Sequence, residues 1–110
     1  MSFFSNPSQQ LLDQSAATIF QSINTLLDLL ERSAGTQSYH TKAELEKLDS
    51  LIGQFHQLCN THNTSVKTIK WAGTSVSLYM VVANLNAFMR EMTEMTGYKF
   101  ICKTKINSQV

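Results

Sequence analysis

The sequence has few residues that interrupt secondary structure and few that carry charge. It contains one proline and four glycines in 110 residues, so long helices or strands can run without a break. Charged residues make up 15% of the chain, well below the usual quarter. A disordered chain would have more charge and proline, and fewer apolar residues than the 43% found here. The sequence therefore predicts a single folded domain with a modest core.

Cysteines and export signals are also scarce. The two cysteines, Cys59 and Cys102, are too few for a disulfide framework, so reduced thiols are expected. The first ten residues, MSFFSNPSQQ, lack the basic region and the long apolar stretch of a cleavable signal peptide. A cytoplasmic protein is the resulting prediction.

Motifs that carry enzymatic chemistry are missing as well. The sequence contains no phosphate-binding loop, no dinucleotide-binding fingerprint and no paired carboxylates at catalytic spacing. His56, Cys59 and His62 have side chains that bind zinc, but on one helix His56 and His62 would point about 120° apart. We therefore predict that the protein is not an enzyme and has no metal or cofactor site.

Three stretches of the sequence have apolar residues at alternating spacings of three and four. This spacing places each set on one face of an α-helix, as at the a and d positions of a coiled coil. The pattern predicts helices near 8–34, 41–61 and 66–96. The three sets are Leu12, Ala16, Ile19, Ile23, Leu26 and Leu30; Leu45, Leu48, Ile52, Phe55, Cys59 and His62; and Trp71, Thr74, Leu78, Val81, Leu85, Phe88, Met92 and Met95.

The residues between these stretches fit helix ends. Gly35 suits the end of the first helix and Gly97 the end of the third. Thr41 and Glu44 have the spacing of a capping box at the start of the second. Because short connections make neighbouring helices antiparallel, the predicted fold is all-α, an up-down-up three-helix bundle followed by a basic tail over 97–110.

The tail has a different periodicity. Tyr98, Phe100 and Cys102 alternate with Lys99 and Ile101, which is typical of an extended strand. An alternative α+β fold pairs two strands around Ala72-Gly73, followed by a shorter helix and the tail strand in a small C-terminal sheet. The unbroken heptad from Trp71 onward favours the helical interpretation.

The stretch from Trp71 to Met89 contains no charged residue, and it has three interpretations. Its nineteen residues approach the length of a membrane span, with Trp71 and the flanking basic residues as interfacial anchors. Ser, Thr and Asn within the run argue against insertion. A second interpretation makes the run the centre of a monomeric core.

The third interpretation is a protein interface, and it is the one we adopt. A helix that is apolar around most of its circumference is buried from several sides, and apolar surface left over on a small protein marks an interface. The predicted partner interface comprises Trp71, Val76, Tyr79, Met80, Val82, Met89, Tyr98 and Phe100.

Charge is unevenly distributed along the chain. Residues 1–65 carry six acidic and three basic side chains, whereas residues 66–110 carry six basic and two acidic. Lys99, Lys103 and Lys105 form a basic tail that can touch phosphate, although lysines at a strand edge more often deter aggregation.

Together these patterns predict a non-enzymatic interaction or assembly protein: an adaptor, chaperone, inhibitor or structural subunit. It would bind another copy of itself or a helical partner protein, as viral or bacterial accessory proteins do. A membrane-associated helical protein that uses residues 71–89 is one alternative. A nucleic-acid-binding regulator that uses the basic C-terminal half is the other, less favoured, alternative.

Overall fold

The computed structural model describes residues 7–32 and 39–102. Gly35, Lys103 and Lys105, which carry sequence predictions, lie outside these residues. Helices dominate the described part of the chain, and a small antiparallel two-stranded sheet accompanies them. In chain order the elements are α1 (Pro7–Arg32), α2 (Tyr39–His62), β1 (Thr68–Trp71), β2 (Thr74–Ser77) and α3 (Leu78–Thr96).

The first two helices confirm the periodicity from which they were predicted. All six stripe residues of α1 are buried, from Leu12 to Leu30. The α2 stripe is buried from Leu45 to Cys59, and only its last member, His62, is half-exposed. α1 and α2 pack extensively against each other, which buries both stripes in one interface.

The predicted capping box is wrong. Thr41 lies inside α2, which already includes Tyr39, and its side chain is fully buried. Glu44 does not reach back toward the helix start; its carboxylate accepts a hydrogen bond of 2.7 Å from the Ser22 hydroxyl of α1. The hydrogen bond between the buried Ser22 and the half-buried Glu44 thus ties the two helices together instead of capping one of them.

The third helix predicted over 66–96 is also wrong in its first part, so the all-α prediction is correct for the three helices but not for residues 68–77. Residues 68–77 form a β-hairpin, and α3 begins only at Leu78. The turn residues Ala72 and Gly73 have φ angles of 54° and 83°, as a type I′ turn requires. Val, Ile, Thr and Trp favour strands in this stretch, and two stripe positions, Trp71 and Thr74, fit the heptad by coincidence. The α+β alternative, with its hairpin at Ala72-Gly73, is the correct prediction at this point.

Both ends of α3 are capped by the residues next to them. Ser77 has extended backbone angles, and its hydroxyl accepts a 3.1 Å hydrogen bond from the Met80 amide, which satisfies one free donor of the first turn. Gly97 has a φ of 78° and donates from its amide to the Thr93 carbonyl at 2.8 Å. The prediction that Gly97 ends this helix is confirmed.

One apolar cluster joins all of these elements. Buried side chains of the three helices, of β1 and of the loop before it belong to this cluster, and Val76 of β2 packs against it. The molecule measures 46 × 32 × 19 Å, and 19 Å is about two helix diameters. So thin a slab buries the inner face of each helix and leaves the outer face in solvent.

Candidate interaction surface

The structure separates the predicted interface residues into three groups. Val82 and Met89 are buried in the chain's own core, at 7% and 8% exposed. Trp71, Val76, Tyr98 and Phe100 are half-buried against that core. Tyr79 and Met80 remain in solvent, at 54% and 56% exposed. The helical register explains the split, because Val82 and Met89 flank the stripe that faces inward.

The exposed pair belongs to the outer face of the first half of α3. Steps of four residues place Ala83 and Ala87 on the same side of the helix as Tyr79, with Met80 beside them. All four residues are exposed, and Asn84 is the polar residue among them. We call Tyr79, Met80, Ala83 and Ala87 the α3 patch.

Charge appears only in the second half of this helix. Arg90, Glu91 and Glu94 are exposed on the same side, further toward the C-terminus. Met95 lies beyond them in the last turn and is 58% exposed. The α3 patch is therefore an uncharged apolar area with a charged boundary at one end.

The half-buried Trp71 has a partner inside the molecule. Its ring meets the Phe20 ring of α1 edge to face, with the centroids 5.5 Å apart. Such aromatic pairs add about 0.5–1.5 kcal/mol beyond the area that they bury. Trp71 thus serves to hold the hairpin against α1, which accounts for it without a partner protein.

The tail after Gly97 crosses from α3 to α2. Tyr98, Phe100 and Cys102 pack against the core, whereas Lys99 and Ile101 are exposed. The alternation predicted from the sequence is confirmed, but in residues 97–102 it does not arise from pairing in a sheet. What holds the segment is a side chain of α2.

That side chain is Asp49, which is only 5% exposed. Its carboxylate accepts hydrogen bonds from the Tyr98 hydroxyl at 2.8 Å and from the Ile101 and Cys102 amides at 2.8 and 2.9 Å. Burial alone would raise the pKa of Asp49, but these hydrogen bonds outweigh it and lower the pKa below its ordinary value. Burial and the Asp49 carboxylate together raise the pKa of Tyr98.

Close packing completes the attachment of the tail. A Cβ atom at Gly53 would lie 3.3 Å from the Cys102 Cβ, so the absent side chain of Gly53 lets the tail lie against α2. On the other side the Cys102 thiol lies 3.7 Å from the Met89 sulfur of α3. The tail therefore fills the space between α2 and α3, two helices that touch each other only slightly.

Two open grooves flank the tail. One, of about 700 Å³, lies along α2 and includes Asp49, Gly53, His56 and Ile101. The other, of about 590 Å³, lies along α3 and includes Arg90 and Phe100. The Asp49 carboxylate that lines the first groove already accepts three hydrogen bonds from the tail, which makes it a structural group.

His56, Cys59 and His62, whose side chains suit zinc, do not form a metal site in the described residues. Cys59 is fully buried in the core, and burial raises its pKa to about 12. The His56 ring lies 3.2 Å from the Asn60 amide nitrogen, and burial lowers the pKa of His56. Within residues 7–32 and 39–102, no three His, Cys, Asp or Glu side chains are grouped as a metal ion would need.

The uncharged run from Trp71 to Met89 is split between the hairpin and α3. Among the described helices, none combines the length and the apolar character that crossing a bilayer requires.

The chain matches no family model, no curated protein and no solved structure.

Sequence reasoning missed Asp49 as a key residue. Asp49 lies four residues after Leu45 and three before Ile52, so its position falls on the buried face of α2. A carboxylate on a buried helix face needs hydrogen-bond donors around it. An aspartate at this position of the apolar stripe was therefore the signal in the sequence that Asp49 has partners elsewhere in the chain. The donors themselves come from residues about fifty positions away, which no local pattern indicates.

Proposed function

We propose that this protein is a non-enzymatic assembly or interaction protein, such as an adaptor, chaperone, inhibitor or structural subunit. It binds another protein chain through the α3 patch. The observation that carries the proposal is the exposure of Tyr79 and Met80 on a helix face that has no charged residue before Arg90. Apolar surface gathered on one face of a small protein marks an interaction site.

The composition of the patch suits protein binding. Because about half of each side chain is exposed, burying Tyr79 and Met80 completely contributes about 1–1.5 kcal/mol each. Tyrosines often dominate the binding energy of an interface. Ala83 and Ala87 allow a partner helix to approach closely. Because the patch is uncharged, association avoids the cost of desolvating ions.

The test uses two substitutions in the patch and one outside it. Tyr79→Ala and Met80→Glu should shift the protein toward monomer in analytical ultracentrifugation, or release a partner bound from extract. Both side chains are exposed, so the helical circular dichroism should persist. Met95→Glu places the same charge at an equally exposed methionine of α3 and should leave association unchanged.

Two results would count against the proposal. One is association that Met80→Glu and Met95→Glu weaken equally, because the effect would then be one of charge and not of position. The other is association that survives both Tyr79→Ala and Met80→Glu.

A further inference from the structure

The two edges of the hairpin differ in whether other residues hydrogen-bond to their outward backbone groups. The outer edge of β1 is closed by α1. The Gln9 amide donates to the Thr68 carbonyl at 2.8 Å, and the Asp13 carboxylate accepts from the Lys70 amide at 2.9 Å. An added strand cannot pair there without displacing both side chains.

The register shows which groups point outward on β2. Trp71 pairs with Thr74, Lys70 with Ser75 and Thr68 with Ser77. In a two-residue hairpin the pair next to the turn is hydrogen-bonded, and the pairs alternate from there. The backbone N–H and C=O groups of Thr68 and Lys70 therefore point away from β2, as the contacts with Gln9 and Asp13 confirm. On the opposite edge, the N–H and C=O of Ser75 point away from β1.

That opposite edge is open. Within residues 7–32 and 39–102, no group covers the outward N–H and C=O of Ser75, and Thr74, Ser75 and Ser77 are exposed. Edge strands in natural proteins are protected by lysine, proline or a bulge. β2 has none of these in Thr74–Ser77, and Tyr79 and Met80 of the α3 patch follow it directly.

We infer that β2 pairs antiparallel with β2 of a second copy of this chain, about a two-fold axis at Ser75, an inference that rests on the proposed function. The Ser75 N–H of each copy then donates to the Ser75 carbonyl of the other. The two hairpins form one four-stranded sheet. The α3 patch of each copy lies beside the hairpin turn of the other.

Self-pairing fits this edge for two reasons. β2 is uncharged, so no like charges meet at the axis, whereas two directly opposed lysines would destabilise the pair. In the described part of the chain each copy has one open edge, because α1 closes the other. Pairing therefore ends at the dimer and cannot continue into a fibre.

The test removes the outward donor without touching the hairpin. Ser75→Pro deletes an N–H that takes no part in the β1–β2 ladder, and proline is tolerated at such edge positions. We expect the parent chain to dimerise in analytical ultracentrifugation. Ser75→Pro should raise the dimer dissociation constant about tenfold or more, with circular dichroism and Trp71 fluorescence unchanged.

A second variant covers the case in which proline disturbs folding. Ser75→Lys places two like charges at the axis and should weaken the dimer most at low salt. Thr64→Lys adds the same charge at an exposed turn residue and should have no effect. In the parent, the Ser75 amide should exchange more slowly with solvent deuterium as protein concentration rises.

The outcomes separate the inference from the proposed function. A dimer that resists Ser75→Pro and Ser75→Lys but dissociates with Met80→Glu overturns strand pairing and supports the α3 patch. A dimer that resists all three variants overturns both. A parent chain that stays monomeric at millimolar concentration overturns the inference, whether or not a different protein binds the α3 patch.

Discussion

Asp49 remains a buried anion because one segment of the chain surrounds it with donors. Three hydrogen bonds of 2.8–2.9 Å come from Tyr98, Ile101 and Cys102. Hydrogen bonds to a charged group contribute about 1.5–3 kcal/mol each, roughly twice as much as neutral ones. The attachment of the tail thus depends on one side chain of α2.

Replacing this carboxylate should loosen the tail. In Asp49→Asn an NH₂ group replaces one of the two acceptor oxygens and so faces the amide of either Ile101 or Cys102, which donate to different oxygens. We expect the free energy of unfolding to fall by about 1–3 kcal/mol and the exchange of these two amides to accelerate. Asp28→Asn, which removes an exposed carboxylate paired with Arg32, should change stability by no more than about 0.5 kcal/mol. An equal loss in both variants would contradict this role of Asp49.

Acid should weaken the same attachment. The pKa of Asp49 lies below its ordinary value of 3.8, so its folded-state pKa is lower than its unfolded-state pKa. Its contribution to stability is therefore complete above about pH 3.8 and declines as pH falls through the folded-state value. In urea titrations between about pH 6 and 2, the stability difference between the parent and Asp49→Asn should shrink toward the acid end. A difference that stays constant would mean that the charge of Asp49 is not what holds the tail.

The two cysteines offer a direct measure of tail opening. Burial raises the pKa of both Cys59 and Cys102 to about 12, so neither is a reactive thiolate near neutral pH. We expect both to resist iodoacetamide at about pH 8 in the folded protein and to react after unfolding. Asp49→Asn should expose Cys102 alone, with Cys59 in the core as the internal control. Equal acceleration at both thiols would indicate global unfolding instead.

At the scale of elements, the sequence predicted α1 and α2 well because their periodicity has a simple physical cause. Each stripe runs along one face, and the two faces bury each other. The third stripe is buried from Leu78 to Met92, with Phe88 half-buried. The prediction of a third helix was wrong over residues 66–77, where Trp71 and Thr74 continue the heptad spacing but lie in strands.

The types of residue in this stretch indicate a hairpin, whereas the heptad spacing of its apolar residues indicates a helix. Val, Ile, Thr and Trp around Gly73 favour strands and a tight turn. Ala72 gave no such signal, because alanine rarely adopts a positive φ. The tail showed the reverse: its alternation was visible, but the partner Asp49 was not, since that contact depends on how α2 and α3 are placed in space.

The turn carries a strain that substitution can relieve. Ala72 has a φ of 54°, a conformation that costs an L-residue about 1–2 kcal/mol and that asparagine tolerates better. Ala72→Asn should therefore raise the free energy of unfolding by about 0.5–1 kcal/mol. Ala17→Asn, at an exposed position inside α1, should lower it by about 0.5 kcal/mol, because asparagine is a poorer helix former. Urea unfolding of the two variants should give opposite signs; the same sign would mean that the turn is not strained.

At the scale of the whole molecule, the core is shared but its parts are not all in direct contact. α1 packs on α2 and on β1, whereas α3 packs on α2 and on both strands. Among the described residues, the backbones of α1 and α3 do not approach each other closely. The close backbone contacts that connect α1 with α3 therefore run through α2 and through the hairpin, which Gln9 and Asp13 hold against α1.

A single cluster predicts a single unfolding transition. The far-ultraviolet circular dichroism signal measures mainly the content of the three helices. Trp71 fluorescence reports on the contact between the hairpin and α1. The two signals should change at the same urea concentration. Leu26→Ala in α1, Phe55→Ala in α2 and Leu85→Ala in α3 each empty a fully buried position. Each should lower the free energy of unfolding by about 2–5 kcal/mol.

The decisive comparison is between Leu26→Ala and Leu85→Ala, because these residues lie in helices whose backbones do not approach each other closely. If the cluster is cooperative, each substitution moves both signals together, so damage in α3 is reported by a tryptophan packed on α1. If Leu85→Ala instead shifted the helical signal and left Trp71 fluorescence at its parental midpoint, α3 would unfold separately from α1 and the hairpin. The α3 patch would then belong to an independently unfolding element, and its substitutions would have to be judged against the stability of α3 alone.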